Sequence, residues 1–114
     1  MRYALLIYTD ESRDSQATQQ EQEAVMVAYN AFGAEFKDKI LGGEALVTTS
    51  AATTVRAREG KTLTTDGPFV ETKEQLGGFY LVKAENLDEA IQIAAKIPGA
   101  QYGSIEVRPV MEFD

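Results

Sequence analysis

Three groups of side chains in this sequence could do chemistry. Asp66 stands before Gly67-Pro68, where a strand should end in a sharp turn. A carboxylate there could act as a general base if a pocket raised its pKa. It could equally cap the turn by accepting backbone N–H bonds, which would lower its pKa and make it a poor base. Glu71, Lys73 and Glu74 follow on a polar stretch. They could orient a polar substrate or exchange a proton, or they could be solvated charges whose ion pairs contribute about 0–1 kcal/mol. Arg56, Arg58 and Arg108 could hold an anion through bidentate guanidinium contacts, or blunt an exposed sheet edge. Tyr8 and Tyr80 could place a hydroxyl in a cavity. With Tyr3 and Phe79 they also suit a core or a dimer interface, because aromatics carry much of the packing area.

Composition narrows what these residues can do. The 114 residues include no His, no Cys and no Trp. Without Cys there is no disulfide, thiolate nucleophile or zinc–thiolate site. Without His the usual general base near neutral pH is missing, and Ser50 and Ser104 cannot join a Ser-His-Asp triad. Catalysis would fall to carboxylates, Lys, Tyr, Ser or Thr, and a metal would need oxygen ligands. No metal or cofactor is expected, since the chain lacks G-x-G-x-x-G, P-loop, EF-hand and G-x-S-x-G patterns.

The formal net charge is -7, unevenly spread. Residues 1–44 and 85–114 each carry a net -4, while residues 45–84 carry +1. No basic face for direct nucleic-acid binding is visible. The middle segment alone is open to an anion. The longest apolar run, Ala4–Tyr8, is far short of the ~20 residues of a membrane span. It reads as a strand rather than a leader, so no membrane partner and a cytoplasmic location are expected.

The elements that must position these groups can be read from periodicity. Residues 2–8 alternate Tyr3, Leu5 and Ile7 with Ala4, Leu6 and Tyr8, a strand apolar on both faces. A helix is expected from Gln16 to Leu41, with Val25, Tyr29, Phe32, Phe36 and Ile40 on one stripe. Ser15 and Thr18 compete as its N-cap. Gly42-Gly43 should end it, and Gly33 could admit a closely packed neighbour. Ala45–Thr49 reads as a short strand. Thr53–Arg58 and Lys61–Asp66 read as a hairpin turning at Glu59-Gly60. Gly77-Gly78 opens a strand over Phe79–Ala84. A second helix follows over Leu87–Ile97, with an Asn86…Glu89 capping pair and Leu87, Ala90, Ile91, Ala94 and Ile97 inward. Pro98-Gly99 stops it, and Ser104–Val110 is the last strand.

Without the hairpin this order is βαββαβ, the ferredoxin-like split unit, a single α+β domain over residues 1–114. Its two helices cover one sheet face. The first and later strands are apolar on both sides, so a homodimer through the open sheet face is expected.

The run Asp66-Gly67-Pro68-Phe69-Val70-Glu71-Thr72-Lys73-Glu74 closely resembles the signature of the DGPFAETKE branch of the YCII-related family, departing only at Val70. Thr53-Thr54-Val55-Arg56, Gln75-Leu76-Gly77-Gly78-Phe79-Tyr80 and Gly103–Val110 extend the likeness to essentially the whole chain. The resemblance implies a dimeric α+β barrel of ferredoxin-like subunits. It also implies a cleft His–Asp pair in YCII-like proteins, which a chain without His cannot form. Relatives of this branch are sometimes linked to transcription initiation.

Two functional expectations follow. In the first, the chain is a small-molecule-binding dimer, in its catalytic form a lyase or isomerase acting on a small anion. Asp66 is then the acid/base, and Arg56, Arg58, Glu71, Lys73, Tyr8 and Arg108 contact the substrate. In the second, it is a non-catalytic regulatory or protein-interaction module whose acidic surface suits a basic protein partner.

Overall fold

The computed structural model describes residues 1–113. Four antiparallel strands form the main sheet in the order β2-β5-β1-β6: β1 Arg2–Thr9, β2 Ile40–Ala45, β5 Gln75–Lys83 and β6 Ser104–Pro109. A separate hairpin pairs β3 Thr53–Arg58 with β4 Lys61–Asp66. The helices are α1 Glu11–Asp14, α2 Gln19–Glu35 and α3 Leu87–Ala95. Setting the hairpin and α1 aside, this is the βαββαβ order with a ferredoxin-like sheet, as the apolar pattern predicts.

The core sits between this sheet and the two longer helices. Tyr3, Leu5 and Ile7 of β1 and Val82 of β5 meet Phe32 of α2 and Ala90, Ile93 and Ala94 of α3, with Ile97 just beyond. The Phe32 ring lies 4.9 Å from that of Tyr80 and 5.1 Å from that of Phe36. The inward stripe of α3 uses Ile93, whereas Leu87 and Ile91 are half exposed. Across antiparallel pairs, opposed residues share a face. Ala4 and Leu6 of β1 therefore lie with Leu81 and Phe79 of β5 and with Arg108 and Glu106 of β6 on the face away from the helices. Tyr8 opposes Leu76 and Ser104 at the end of the same face.

The first helical region departs most from expectation. The segment after β1 is already used by α1, whose N-cap Asp10 accepts from the Ser12 and Arg13 amides and whose C-cap is Ser15. The longer helix therefore starts later, at a full capping box. Thr18 Oγ1 accepts from the Glu21 amide at 3.1 Å, and the Glu21 carboxylate accepts from the Thr18 amide at 3.0 Å. These bonds to the ionised form hold Glu21 below the usual carboxylate range.

At its other end α2 stops at Glu35, with Phe36 as cap. Gly42-Gly43 lie inside β2 rather than at a helix end. Gly43 permits close strand approach, whereas nothing lies within 4 Å of a Cβ built on Gly42. A Cβ on Gly43 would stand 2.5 Å from the Phe79 carbonyl oxygen and 2.9 Å from Tyr80 Cδ1. The strand expected at Ala45–Thr49 accordingly lies earlier, and Thr49–Ala51 is a 3₁₀ turn. Gly33 admits no close neighbour, as nothing lies within 4 Å of a Cβ built there, and Val25 falls outside the buried stripe. The capping pair of α3 is half as expected. Asn86 Oδ1 accepts from the Glu89 amide at 2.9 Å, but the Glu89 carboxylate turns to the Glu85 amide at 2.8 Å.

The hairpin turns at Glu59 (φ 52°) and Gly60 (φ 77°), both left-handed, as a two-residue turn of this hand requires. The chain folds flat, with extents of 47 × 46 × 18 Å. Its radius of gyration is 16.0 Å, against roughly 13 Å for a compact domain of this length.

Candidate functional site

The short helix α1 borders several clefts, two of which gather polar side chains from distant elements. The first, of about 430 Å³, is lined by Ile7, Thr9, Asp14, Tyr29, Tyr80 and Tyr102, with Gly43, Gly77 and Gly78 exposing backbone at its side. Its size and its apolar walls are those of a small-molecule pocket.

Local structure explains how its polar groups converge. Thr9 ends β1 and its hydroxyl donates to Asp14 Oδ2 at 2.7 Å, fixing the carboxylate from α1. Arg13 stacks 4.4 Å above the Tyr102 ring. Tyr102 follows the 3₁₀ turn Pro98–Gln101, and this segment presses against β1 because Gly99 within the turn and Gly103 after it carry no side chain. A Cβ on Gly99 would meet Tyr29 Oη at 3.0 Å and Ile7 Cγ2 at 3.1 Å. One on Gly103 would run into the Tyr8 carbonyl oxygen.

The three phenols in this cleft stay protonated at neutral pH. Burial pushes Tyr29 up to about 12, reinforced by Tyr102 and Asp14 and opposed by a bond from the Gly99 backbone. Burial also raises Tyr80, and burial with the Asp14 charge raises Tyr102. The cleft thus offers neutral O–H donors beside one anchored carboxylate. Such a set can grip the hydroxyl or carbonyl of a bound molecule and accept a proton at Asp14.

The second cleft, of about 650 Å³, lies between α1, the 3₁₀ turn Thr49–Ala51 and the loop after β4. It is rich in hydroxyls, including Ser12, Ser15, Thr48, Thr49, Ser50 and Thr72. Glu11 organises it. Its carboxylate accepts from the Thr49 hydroxyl at 2.7 Å and the Thr49 amide at 3.0 Å, while its own amide donates to Gln75 Oε1 at 3.1 Å. Gln75 Nε2 in turn donates to the Thr72 carbonyl at 2.7 Å. The Asp66–Glu74 loop is tied to α1 through this chain of bonds.

The residues singled out from sequence are dispersed over these features. Asp66 is exposed at the end of β4 and lines neither cleft. Among the described residues no hydrogen bond reaches its carboxylate, neither the cap nor a catalytic partner. Glu71 lines the second cleft with Gly67 and Pro68. Lys73 is exposed. Glu74 accepts from the Ser104 hydroxyl at 2.8 Å. Arg56 and Arg58 share a hairpin face, Arg56 lying 5.3 Å over the Phe69 ring and Arg58 donating to the Ala57 carbonyl. Arg108 pairs with Glu106 on the open sheet face, where Tyr8 also lies. Tyr80 alone among the sequence candidates enters the first cleft.

Asp14, Tyr29 and Tyr102 escaped sequence reasoning. Asp14 sits in a polar stretch that breaks the strand pattern, and Tyr29 was absorbed into a helical stripe. A hydroxyl-bearing Tyr on that stripe was the available signal, because a buried phenol usually finds a polar partner. Among the described residues no group of three or more carboxylates stands close enough to hold a metal ion, and no helix is long and apolar enough to cross a membrane.

The sequence profile of the YCII-related domain matches residues 1–114. An uncharacterized protein of Rhizobium meliloti (strain 1021) is 44% identical over 114 residues, spanning 96% of this chain and 92% of its own length.

Proposed function

The chain belongs to the YCII-related family, and on that premise we propose that it is a small-molecule-binding homodimer whose pocket is the cleft around Asp14, Tyr29 and Tyr102. One observation carries the reading: an apolar-walled cleft of about 430 Å³ holds a carboxylate fixed by Thr9 and phenols kept neutral by burial. The ligand class it suits has an apolar body and a hydroxyl or carbonyl head. Two carboxylates, Asp14 and Glu44, line the cleft. An anionic group on the ligand would therefore point away from them.

The motif Asp66–Glu74 supports reading the chain as a member of the DGPFAETKE branch of the YCII-related family. A catalytic version, proton transfer of lyase or isomerase type on a small anion, adds Asp66 as acid/base. Arg56, Arg58, Glu71, Lys73, Tyr8 and Arg108 would then contact the substrate. These groups are dispersed within one protomer, so this version requires a second protomer to gather them.

The dimer is supported by shape. A sheet packed on one face only leaves Ala4, Leu6, Phe79 and Leu81 without a second layer. A cytoplasmic site of action is part of the same reading, in which the apolar run Ala4–Tyr8 serves as β1, an interior strand of the sheet.

The test is a thermal-shift screen of small hydroxy and keto compounds against the wild type, Asp14→Asn and Tyr29→Phe. A ligand at 100 times its Kd stabilises the wild type by about 2.7 kcal/mol. Both variants lose most of that gain. A shift retained in both variants, or no shift with any compound, overturns the assignment of this cleft. A monomer by light scattering at micromolar concentration overturns the dimer.

A further inference from the structure

We propose that the β3–β4 hairpin is an arm that grips a second copy of this chain. The inference rests on the dimer reading and extends it to a part of the molecule outside the sheet face. The hairpin is regular, pairing Thr53 with Asp66 through Arg58 with Lys61 without a break. Its apolar side chains are nevertheless largely uncovered by its own chain. Val55 is 61% and Leu63 49% exposed, and Phe69 and Val70 just beyond it are 72% and 51% exposed. Val55 opposes Thr64 and Leu63 opposes Arg56, so the two apolar side chains lie on opposite faces. A lone two-stranded hairpin is marginal in water. One with apolar groups on both faces needs a surface to lie against.

Area identifies that surface. The protomer exposes 8301 Å². A compact monomer of 12.5 kDa exposes roughly 6,200 Å², so the excess is about 2,100 Å². A standard interface covers about 800 Å² per partner. Four strands spaced about 4.8 Å apart give a sheet face of only roughly 400–500 Å² in plan. Sheet-to-sheet contact alone leaves much of the excess open, and the hairpin with its following loop carries four of the exposed large apolar side chains, Val55, Leu63, Phe69 and Val70.

Charge points to the same occupant. Arg56, Arg58 and Lys61 outweigh Glu59 and Asp66 on the hairpin, in a chain whose net charge is -7. A basic arm is attracted to a second acidic copy of this chain. The stacking of Arg56 on Phe69 couples the arm to the loop, so both present one surface.

The experiment uses the full chain with p-benzoylphenylalanine at position 63 for photo-crosslinking, and at position 27 on the exposed side of α2 as a control. Sedimentation of a Val55→Asp/Leu63→Asp variant accompanies it, with far-UV circular dichroism to verify the fold. The expected result is a dimer-sized adduct from position 63 and none from position 27, with the dimer dissociation constant raised at least tenfold in the variant. A wild-type dimer with no adduct from position 63 and an unchanged constant in the variant overturns the arm while leaving the dimer standing. A wild-type monomer overturns both.

Discussion

The β1 strand and the β3–β4 hairpin both form antiparallel ladders and meet opposite fates. Both carry residues that favour extended backbone, but β1 is apolar on both faces and the hairpin is mostly polar. In β1, Tyr3 and Leu5 are buried almost completely, at 2% and 0% exposure, under α2 and α3. In the hairpin, Val55 and Leu63 stay largely exposed. Strand formation is therefore a local property here, whereas burial depends on what the topology brings alongside. The buried core lies in the sheet–helix layer, and the hairpin contributes no residue to it.

That contrast can be broken most forcefully in the core. Leu5→Ala should cost about 2–5 kcal/mol, since it opens a cavity at a fully buried site. Val55→Ala should change the unfolding free energy of the monomer by no more than about 0.5 kcal/mol. Urea denaturation at low protein concentration measures both, and a comparable loss at the two positions would erase the distinction.

A smaller effect tests the edge of the layer. Thr18→Ala removes the side-chain half of the α2 capping box and should cost about 0.5–2 kcal/mol by the same measurement. The Glu21 half has a pH signature. Its folded-state pKa is depressed, so its contribution is present above the ordinary carboxylate range and is lost as pH falls through the lower folded value. The loss on Glu21→Ala should accordingly shrink in acid, whereas the loss on Thr18→Ala, which keeps the backbone amide that Glu21 accepts from, should change little with pH.

The finest test concerns the cleft beneath the layer. Tyr29 is raised to about 12 by burial, while an unfolded tyrosine titrates near about 10. Between these values the folded chain keeps a proton that the unfolded chain releases, so stability falls as pH rises through that window. Ultraviolet titration should show one late-ionising phenol that is missing in Tyr29→Phe. A wild type whose tyrosines all ionise together near 10 would mean that the cleft is open to water.

Much of the fold was legible in the residues. The two-sided apolar strand at 2–8, the hairpin about Glu59-Gly60, and the helix after Asn86 all carry local signals strong enough to survive packing. Gly42-Gly43 misled because glycine ends helices and also admits close strands, and only the neighbouring Phe79 and Tyr80 backbone decides between them. Ser15 misled because a separate turn of helix had already taken the polar stretch from Asp10. The candidate site was less legible. Its members come from β1, α1, α2, β5 and the segment after a 3₁₀ turn, far apart in sequence and joined only by folding.

What the sequence determined by itself is the chemistry available and the order of elements. It excludes thiol and imidazole chemistry outright and spaces its apolar residues for a ferredoxin-like sheet. Tertiary structure alone decided which carboxylate is anchored and which phenols are buried. Asp66 has the more suggestive neighbours in sequence, yet it ends at the surface. Asp14 has none, yet the end of β1 carries Thr9 to within 2.7 Å of it. Hydrogen bonding and desolvation act across space, so the groups they select cannot be read from adjacency along the chain.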